Sequence, residues 1–131
     1  MTTHGTGTFE GMSWDEQTYS EVEGGPKLSR ALVTNAYHGA IEGEGTLEYL
    51  LMYRTDGTCV YVGAERIVGT VDGRAGSFVL QHSGTFEADT ATTTLTVVPG
   101  CGTGELAALR GEGAFAAGHG VVPYTFDYHF E

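Results

Sequence analysis

Turn residues interrupt this 131-residue chain so often that the segments between them suit short strands and leave little room for helices. Twenty-one glycines against three prolines, with abundant Thr, Val and Tyr, describe many strands joined by tight turns. Hydrophobic alternation predicts strands over residues 6–14, 28–38, 41–54, 59–71, 76–87, 90–98, 110–117 and 124–130. No stretch shows a convincing helical period, and residues 105–109 have space for one turn at most. The first loop, residues 15–27, is acidic and ends in Gly24-Gly25-Pro26, which makes it the candidate for a mobile lid. Eight sequential antiparallel strands without a covering helix predict an all-β fold, an eight-stranded antiparallel β-barrel in a single domain over residues 1–131. Closure of the sheet also removes its exposed edges.

Charge narrows the function. Six Lys and Arg against seventeen Asp and Glu leave a formal charge of −11, which argues against a nucleic-acid backbone or an anionic membrane as partner. The start, Met1-Thr2-Thr3-His4-Gly5, lacks the basic and apolar regions of a signal peptide, and no apolar run is long enough to cross a bilayer. Cys59 and Cys101 are the only cysteines and lack paired metal-ligand spacing. They read as free thiols of a cytoplasmic protein, with a single disulfide as the alternative.

The turns also set the hairpin register. If Asp56-Gly57 forms a two-residue loop, Thr55 pairs with Thr58 and Glu48 lies opposite Glu65. If Asp72-Gly73-Arg74-Ala75 forms the next loop, Val71 pairs with Gly76 and Glu65 lies opposite His82. Glu48, Glu65 and His82 then form a row on one face, with neighbouring Cβ atoms about 4.5–5.5 Å apart. Two carboxylates at that distance oppose each other's ionisation when desolvated, and the imidazole beside them can hold or pass a proton. In a pocket the row is an acid–base site; facing water it is three solvated side chains. A slip of one residue in either loop inverts a face and breaks the row.

The face that carries Glu48 also carries Ala31, Val33, Asn35, Tyr37, Thr46, Leu50, Met52, Tyr61, Glu65, Ile67, Phe78, Leu80, His82, Leu95 and Val97, and it is the expected interior. An eight-stranded barrel has room for side chains or one small ligand. Asn35, Tyr37, Leu50, Met52, Tyr61, Phe78, Leu95, Tyr124 and Tyr128 are accordingly the expected ligand contacts, with Glu48, Glu65 and His82 as the acid–base groups. The third strand resists this choice, because Leu47, Tyr49, Leu51 and Tyr53 then point outward with Val60 and Val62. An outward apolar patch predicts self-association into a homodimer or larger oligomer. The alternative is that this opposite face is the core here and the acidic residues face water.

Other features carry less. The histidines, His4, His38, His82, His119 and His129, are scattered; His82 with two glutamates offers a ligand set, but no metal is expected. Gly100-Cys101-Gly102-Thr103-Gly104 lacks the Lys-Ser/Thr of a phosphate loop and reads as a tight turn. Cys59 reads as a buried, inert thiol. Trp14 stands beside the acidic loop, where it has the reach to pin that loop over a barrel mouth.

The segment Gly102-Thr103-Gly104, a short bulky turn, then Arg110-Gly111 resembles an element of allene oxide cyclases and plant dirigent proteins. With Ser13-Trp14-Asp15, Glu23-Gly24-Gly25-Pro26-Lys27-Leu28, residues 76–86 and the last strand, the chain resembles a bacterial family of uncharacterised domains assigned to that barrel class. The resemblance implies an eight-stranded, lipocalin-like barrel that is often oligomeric. It transfers no functional residue. The expected function is handling of a small hydrophobic ligand in the barrel, in its sharper form cofactor-independent cyclisation or isomerisation. A non-catalytic binding protein and a structural oligomer with a filled barrel are the alternatives.

Overall fold

Alternating side chains and glycine-bearing turns give nine strands in the computed structural model, which describes residues 1–118 and 120–131. His119 lies outside the described residues. In chain order the strands are β1 (Thr3–Glu21), β2 (Lys27–Gly39), β3 (Ile41–Tyr53), β4 (Cys59–Val71), β5 (Arg74–Glu87), β6 (Thr90–Val97), β7 (Thr103–Gly104), β8 (Leu109–Ala117) and β9 (Val122–Phe130). Antiparallel pairing runs from β1 through β6, then from β6 to β8, β8 to β9 and β9 back to β1. The result is the closed eight-stranded barrel expected from the sequence, with β7 as a two-residue addition beside β5. Among the described residues there is no helix.

The first strand departs from expectation. Residues 15–21 continue β1 and pair with β2 down to Glu21 opposite Lys27, so the anticipated lid is mostly the two arms of a long hairpin. Register shifts at Met12 and Tyr19 insert one extra residue each on the β1 side. Each bulge interrupts the ladder locally. Residues 10–21 are exposed on both faces apart from the half-buried Glu16, so no buried face marks this stretch as a strand in the sequence.

Two turns decide what faces inward. Between β3 and β4, Tyr53 pairs with Cys59, and the Arg54 amide donates to the Thr58 carbonyl at 2.8 Å. The loop is therefore Thr55-Asp56-Gly57, one residue longer than expected. Gly57 takes a φ of +88°, and Asp56 Oδ1 accepts from the Thr58 amide at 3.0 Å. A left-handed glycine closing a three-residue loop is a common hairpin solution. Between β4 and β5 the loop is only Asp72-Gly73, with φ values of +55° and +74°, the conformation of a tight two-residue turn.

The consequences differ. The β4–β5 correction shifts pairing by two residues and preserves the faces, so Glu65 lies opposite Leu80 and diagonal to His82. The β3–β4 correction is odd. It puts Leu47 opposite Glu65 and Glu48 opposite Ala64, and turns β3 over. Leu47, Tyr49 and Leu51 are buried inside with Tyr53 half-buried, while Glu48, Leu50 and Met52 point outward. The β3 part of the expected outward patch is thus inner wall of the barrel, while Val62 points outward as expected.

The interior has two unlike halves. At one end Ile41, Ile67, Val71, Phe78, Leu80, Leu95, Leu109, Phe126 and Tyr128 pack into a continuous cluster, and the turn after β7 inserts the fully buried Leu106. At the other end a smaller cluster of Ala31, Val33, Leu47, Tyr49, Leu51, Cys59 and Tyr61 lines the wall. Truncation should cost more where packing is complete. Phe126→Ala is expected to destabilise by about 3–5 kcal/mol, and Leu51→Ala by about 2 kcal/mol, because its neighbours already border open space. Urea unfolding of the two variants measures the contrast.

Candidate functional site

Glu65 marks the boundary between the halves. It sits on β4 with no solvent exposure, and its room comes from Gly45 on β3, where an added Cβ would lie 2.1 Å from Glu65 Oε2. Gly63 does the same for Tyr49, whose Cδ1 would lie 2.7 Å from an added Cβ. Three donors from two other strands converge on the carboxylate. Asn35 Nδ2 donates to Oε2 at 2.9 Å, and Tyr37 OH donates to Oε1 at 2.5 Å. His82 Nε2 reaches Oε1 at 2.8 Å, and its other nitrogen, Nδ1, is 3.1 Å from Tyr49 OH. The diagonal placement of His82 across β4–β5 is what lets the longer side chains meet.

The two phenols keep their protons. Burial first, then the Glu65 charge and hydrogen bond, push the Tyr37 hydroxyl well above its ordinary pKa. Burial, then Tyr61 and the Glu65 charge, raise Tyr49 likewise. Both phenols hold their protons and act as donors. Nε2 of His82 faces the Glu65 carboxyl, so Nε2–H is assigned as the donor to it, and in the neutral imidazole with that tautomer Nδ1 accepts from Tyr49 O–H. The ordered chain is Tyr49 O–H to His82 to Glu65, the sense of a nucleophile–His–carboxylate relay. No buried side-chain polar atom among the described residues lacks a partner.

Above this floor lies a cavity of about 630 Å³. Val33, Leu47, Leu51, Phe86 and Phe115 form apolar wall, and Asn35, Tyr49, Tyr61 and His82 supply polar groups; among the described lining residues none is Asp, Glu, Lys or Arg. Tyr61 hydroxyl bonds to Thr93, and its ring meets Tyr49 edge-on at 5.1 Å. At the mouth Glu16 accepts from Trp14 Nε1 at 3.0 Å and from Tyr53 OH at 2.6 Å, which fixes both rings on the rim. The Trp14 ring lies 5.9 Å from Tyr49. Cys59 is buried in the wall, where burial raises its thiol pKa; Cys101 is exposed, and both are free.

The expected site residues therefore separate. Glu65 and His82 come together, and Asn35, Tyr61 and His82 line the cavity, with Glu65 and Tyr37 directly behind its floor. Glu48 does not join them: it points outward and pairs with Arg30 through two bonds of 2.9 and 3.1 Å. Its loss also dissolves the two-glutamate, one-histidine set, and no group of three His, Cys, Asp or Glu converges among the described residues. Leu50 and Met52 are exposed on the outer face. Phe78, Leu95, Tyr124 and Tyr128 belong to the packed end, where Tyr124 OH receives the Ile41 amide at 2.9 Å and donates to the His38 carbonyl at 3.0 Å. Leu47, Tyr49 and Leu51 line the interior, as the alternative for the third strand had it, but neither they nor Phe115 were among the expected ligand contacts. The signal was available in the apolar alternation of residues 47–53, which marks a core face more simply than an external one.

The fold and site define a class: a closed antiparallel barrel, filled at one end and hollow at the other, with a buried Tyr–His–Glu network between. The family model described as "Protein of unknown function (DUF3224)" matches residues 5–128, and the chain belongs to that family. A solved structure of a DUF3224 protein with unknown function from Shewanella oneidensis MR-1 is 32% identical, with a TM-score of 0.82 over 100% of this chain and 99% of that chain. No curated protein matches. The matched family and the Shewanella structure fit the expected barrel, and neither links the chain to allene oxide cyclases or dirigent proteins.

Two outcomes are expected from this geometry. Gly45→Ala drives a methyl group into the Glu65 carboxylate and should cost about 1–3 kcal/mol in urea unfolding. The phenols of Tyr37 and Tyr49 have folded-state pKa values above the 10.0 of a free phenol. Their contribution to stability is complete below about pH 10 and is lost as pH rises beyond it. Alkaline titration should release the phenolate absorbance of these residues only together with unfolding.

Proposed function

We propose that the hollow half of the barrel binds a small, uncharged, mainly apolar molecule and acts on it by acid–base chemistry without a cofactor, in an isomerisation or ring closure. The observation that carries this reading is the uneven filling of the barrel. Interiors normally pack to the density of organic crystals, yet here about 630 Å³ stays open above a polar floor. Apolar walls with a few convergent polar groups are the usual form of a ligand site. The absence of charged lining residues among those described selects a neutral ligand, since an ion would lose its hydration without a partner. A non-catalytic binding protein is the second reading, favoured by the internal satisfaction of Glu65, which a purely structural network also requires.

We also place the protein in the cytoplasm, where Cys59 and Cys101 would stay free. Among the described residues no helix is long and apolar enough to cross a membrane. Self-association is part of the reading, through the outer surface of β3 and β4 that the sequence suggested, but with Leu50 and Met52 in place of Leu47, Tyr49, Leu51 and Tyr53. Leu32, Leu50, Met52 and Val62 are exposed on the outer face of β2, β3 and β4. Leu50→Lys is expected to shift sedimentation from dimer to monomer; a wild-type monomer removes this part of the proposal.

Native mass spectrometry of the freshly purified protein should reveal a co-purifying neutral molecule. Ala91→Trp, which fills space at the cavity wall, should reduce its occupancy about tenfold while the barrel stays folded. Equal occupancy in both proteins would place the molecule elsewhere.

A further inference from the structure

We propose that Tyr49 is the group that meets the ligand, that the ligand presents an uncharged O–H of the phenol or enol class, and that His82 takes its proton through Tyr49. This rests on the reading of the hollow half as a ligand site and adds the chemistry of the atom bound there. Asn35, Tyr37 and His82 Nε2 all point at Glu65, and we assign the His82 tautomer that carries its proton on Nε2, which makes Nδ1 the acceptor for Tyr49 O–H at 3.1 Å. Tyr49 has a single proton, and it is committed to His82. What its oxygen offers the cavity is a lone pair, which a ligand donor satisfies and a ligand carbonyl does not.

The same geometry moves a proton. The ligand O–H bond breaks as a new O–H bond forms on Tyr49. Tyr49's own proton crosses to His82 Nδ1, and the electron pair stays on the ligand oxygen. The products are a ligand oxyanion and an imidazolium whose Nε2–H lies against Glu65 Oε1 at 2.8 Å, so the charge separated is held by a carboxylate already in place. The groups facing this path are Asn35 and Tyr37 from β2, Tyr61 and Glu65 from β4, His82 from β5 and Phe115 from β8. Neither Lys nor Arg lines the cavity among the described residues, so His82 is the cation that stabilises the oxyanion. An oxyanion held against apolar walls is a nucleophile poised for ring closure. Tyr49 is the catalytic residue in this scheme; Glu65 and Asn35 are positioning residues.

The test uses 4-nitrophenol, whose ionisation is visible in its absorbance, beside 4-nitroanisole, which has the same shape but no O–H. In the wild-type protein, bound 4-nitrophenol should ionise at lower pH than the free compound. Tyr49→Phe and Glu65→Gln should each lower the bound phenolate-to-phenol ratio about tenfold, the scale of one hydrogen bond to a charged group. Binding of 4-nitroanisole should be equal in wild type and Tyr49→Phe, which also reports that the variant cavity is intact. If 4-nitroanisole binds and the ionisation of 4-nitrophenol is the same in all three proteins, the relay is overturned and the ligand site stands. If neither compound binds the wild type, the ligand site and the relay both fall.

Discussion

A carboxylate with no solvent exposure at the waist of the barrel governs the rest of this structure. Taking an ion out of water costs several kcal/mol even after the protein relaxes, and the cost is offset only when the surrounding groups are well placed. Glu65 meets that condition with donors from β2 and β5 and with the space that Gly45 leaves on β3. Four consecutive strands must therefore hold a common register for one side chain to be tolerable. The demand works as a specificity device. A shift of any of these strands by one residue would strand the carboxylate among apolar groups and leave Asn35, Tyr37 and His82 without their acceptor.

The same side chain divides the interior. On one side the aromatic rings of Phe78, Phe126 and Tyr128 stack and fill the barrel, Phe78 and Phe126 with centroids 6.3 Å apart. On the other, Tyr49, Tyr61 and Trp14 stand around open space with their hydroxyl or indole groups tied to neighbours. Rigid aromatic walls of this kind keep a cavity from collapsing, because each ring is fixed at both its body and its tip. In a low-dielectric cavity the Tyr49–His82–Glu65 chain is also stronger than it would be in water. Stability and the proposed reactivity thus draw on one network: the bonds that make Glu65 tolerable are those that orient His82 toward Tyr49.

Much of this was legible in the sequence. Seven of the eight barrel strands lie within two residues of their expected limits, since alternation and turn residues agree there. Glu65 and His82 were recognisable as neighbours because a two-residue error in the β4–β5 loop preserves faces. Three features were hidden. Residues 10–21 of β1 are exposed on both faces apart from Glu16, so they carry no alternation to read, and bulges at Met12 and Tyr19 interrupt their ladder. The loop length at Asp56-Gly57 is fixed by the Asp56 side chain capping the Thr58 amide, a contact that the Asp-Gly pair alone does not specify. The division into full and hollow halves depends on side-chain volumes around the whole ring, which no single strand records.

The loop before β4 shows how closely topology and chemistry are joined here. With a two-residue loop, β3 would present Glu48, Leu50 and Met52 to the interior, and a second carboxylate would face Glu65. Two buried carboxylates without a cation between them oppose each other's ionisation, and one would have to take up a proton. The three-residue loop instead presents Leu47, Tyr49 and Leu51. One acidic group remains, matched by one imidazole, and the next group along the chain is a phenol that burial keeps protonated. Glu48 is left outside, where Arg30 meets it in two bonds and water shares the charge. The extra residue in the turn thus exchanges a pair of repelling acids for a hydrogen-bonded Tyr49–His82–Glu65 chain, and it does so without altering a single residue of either strand.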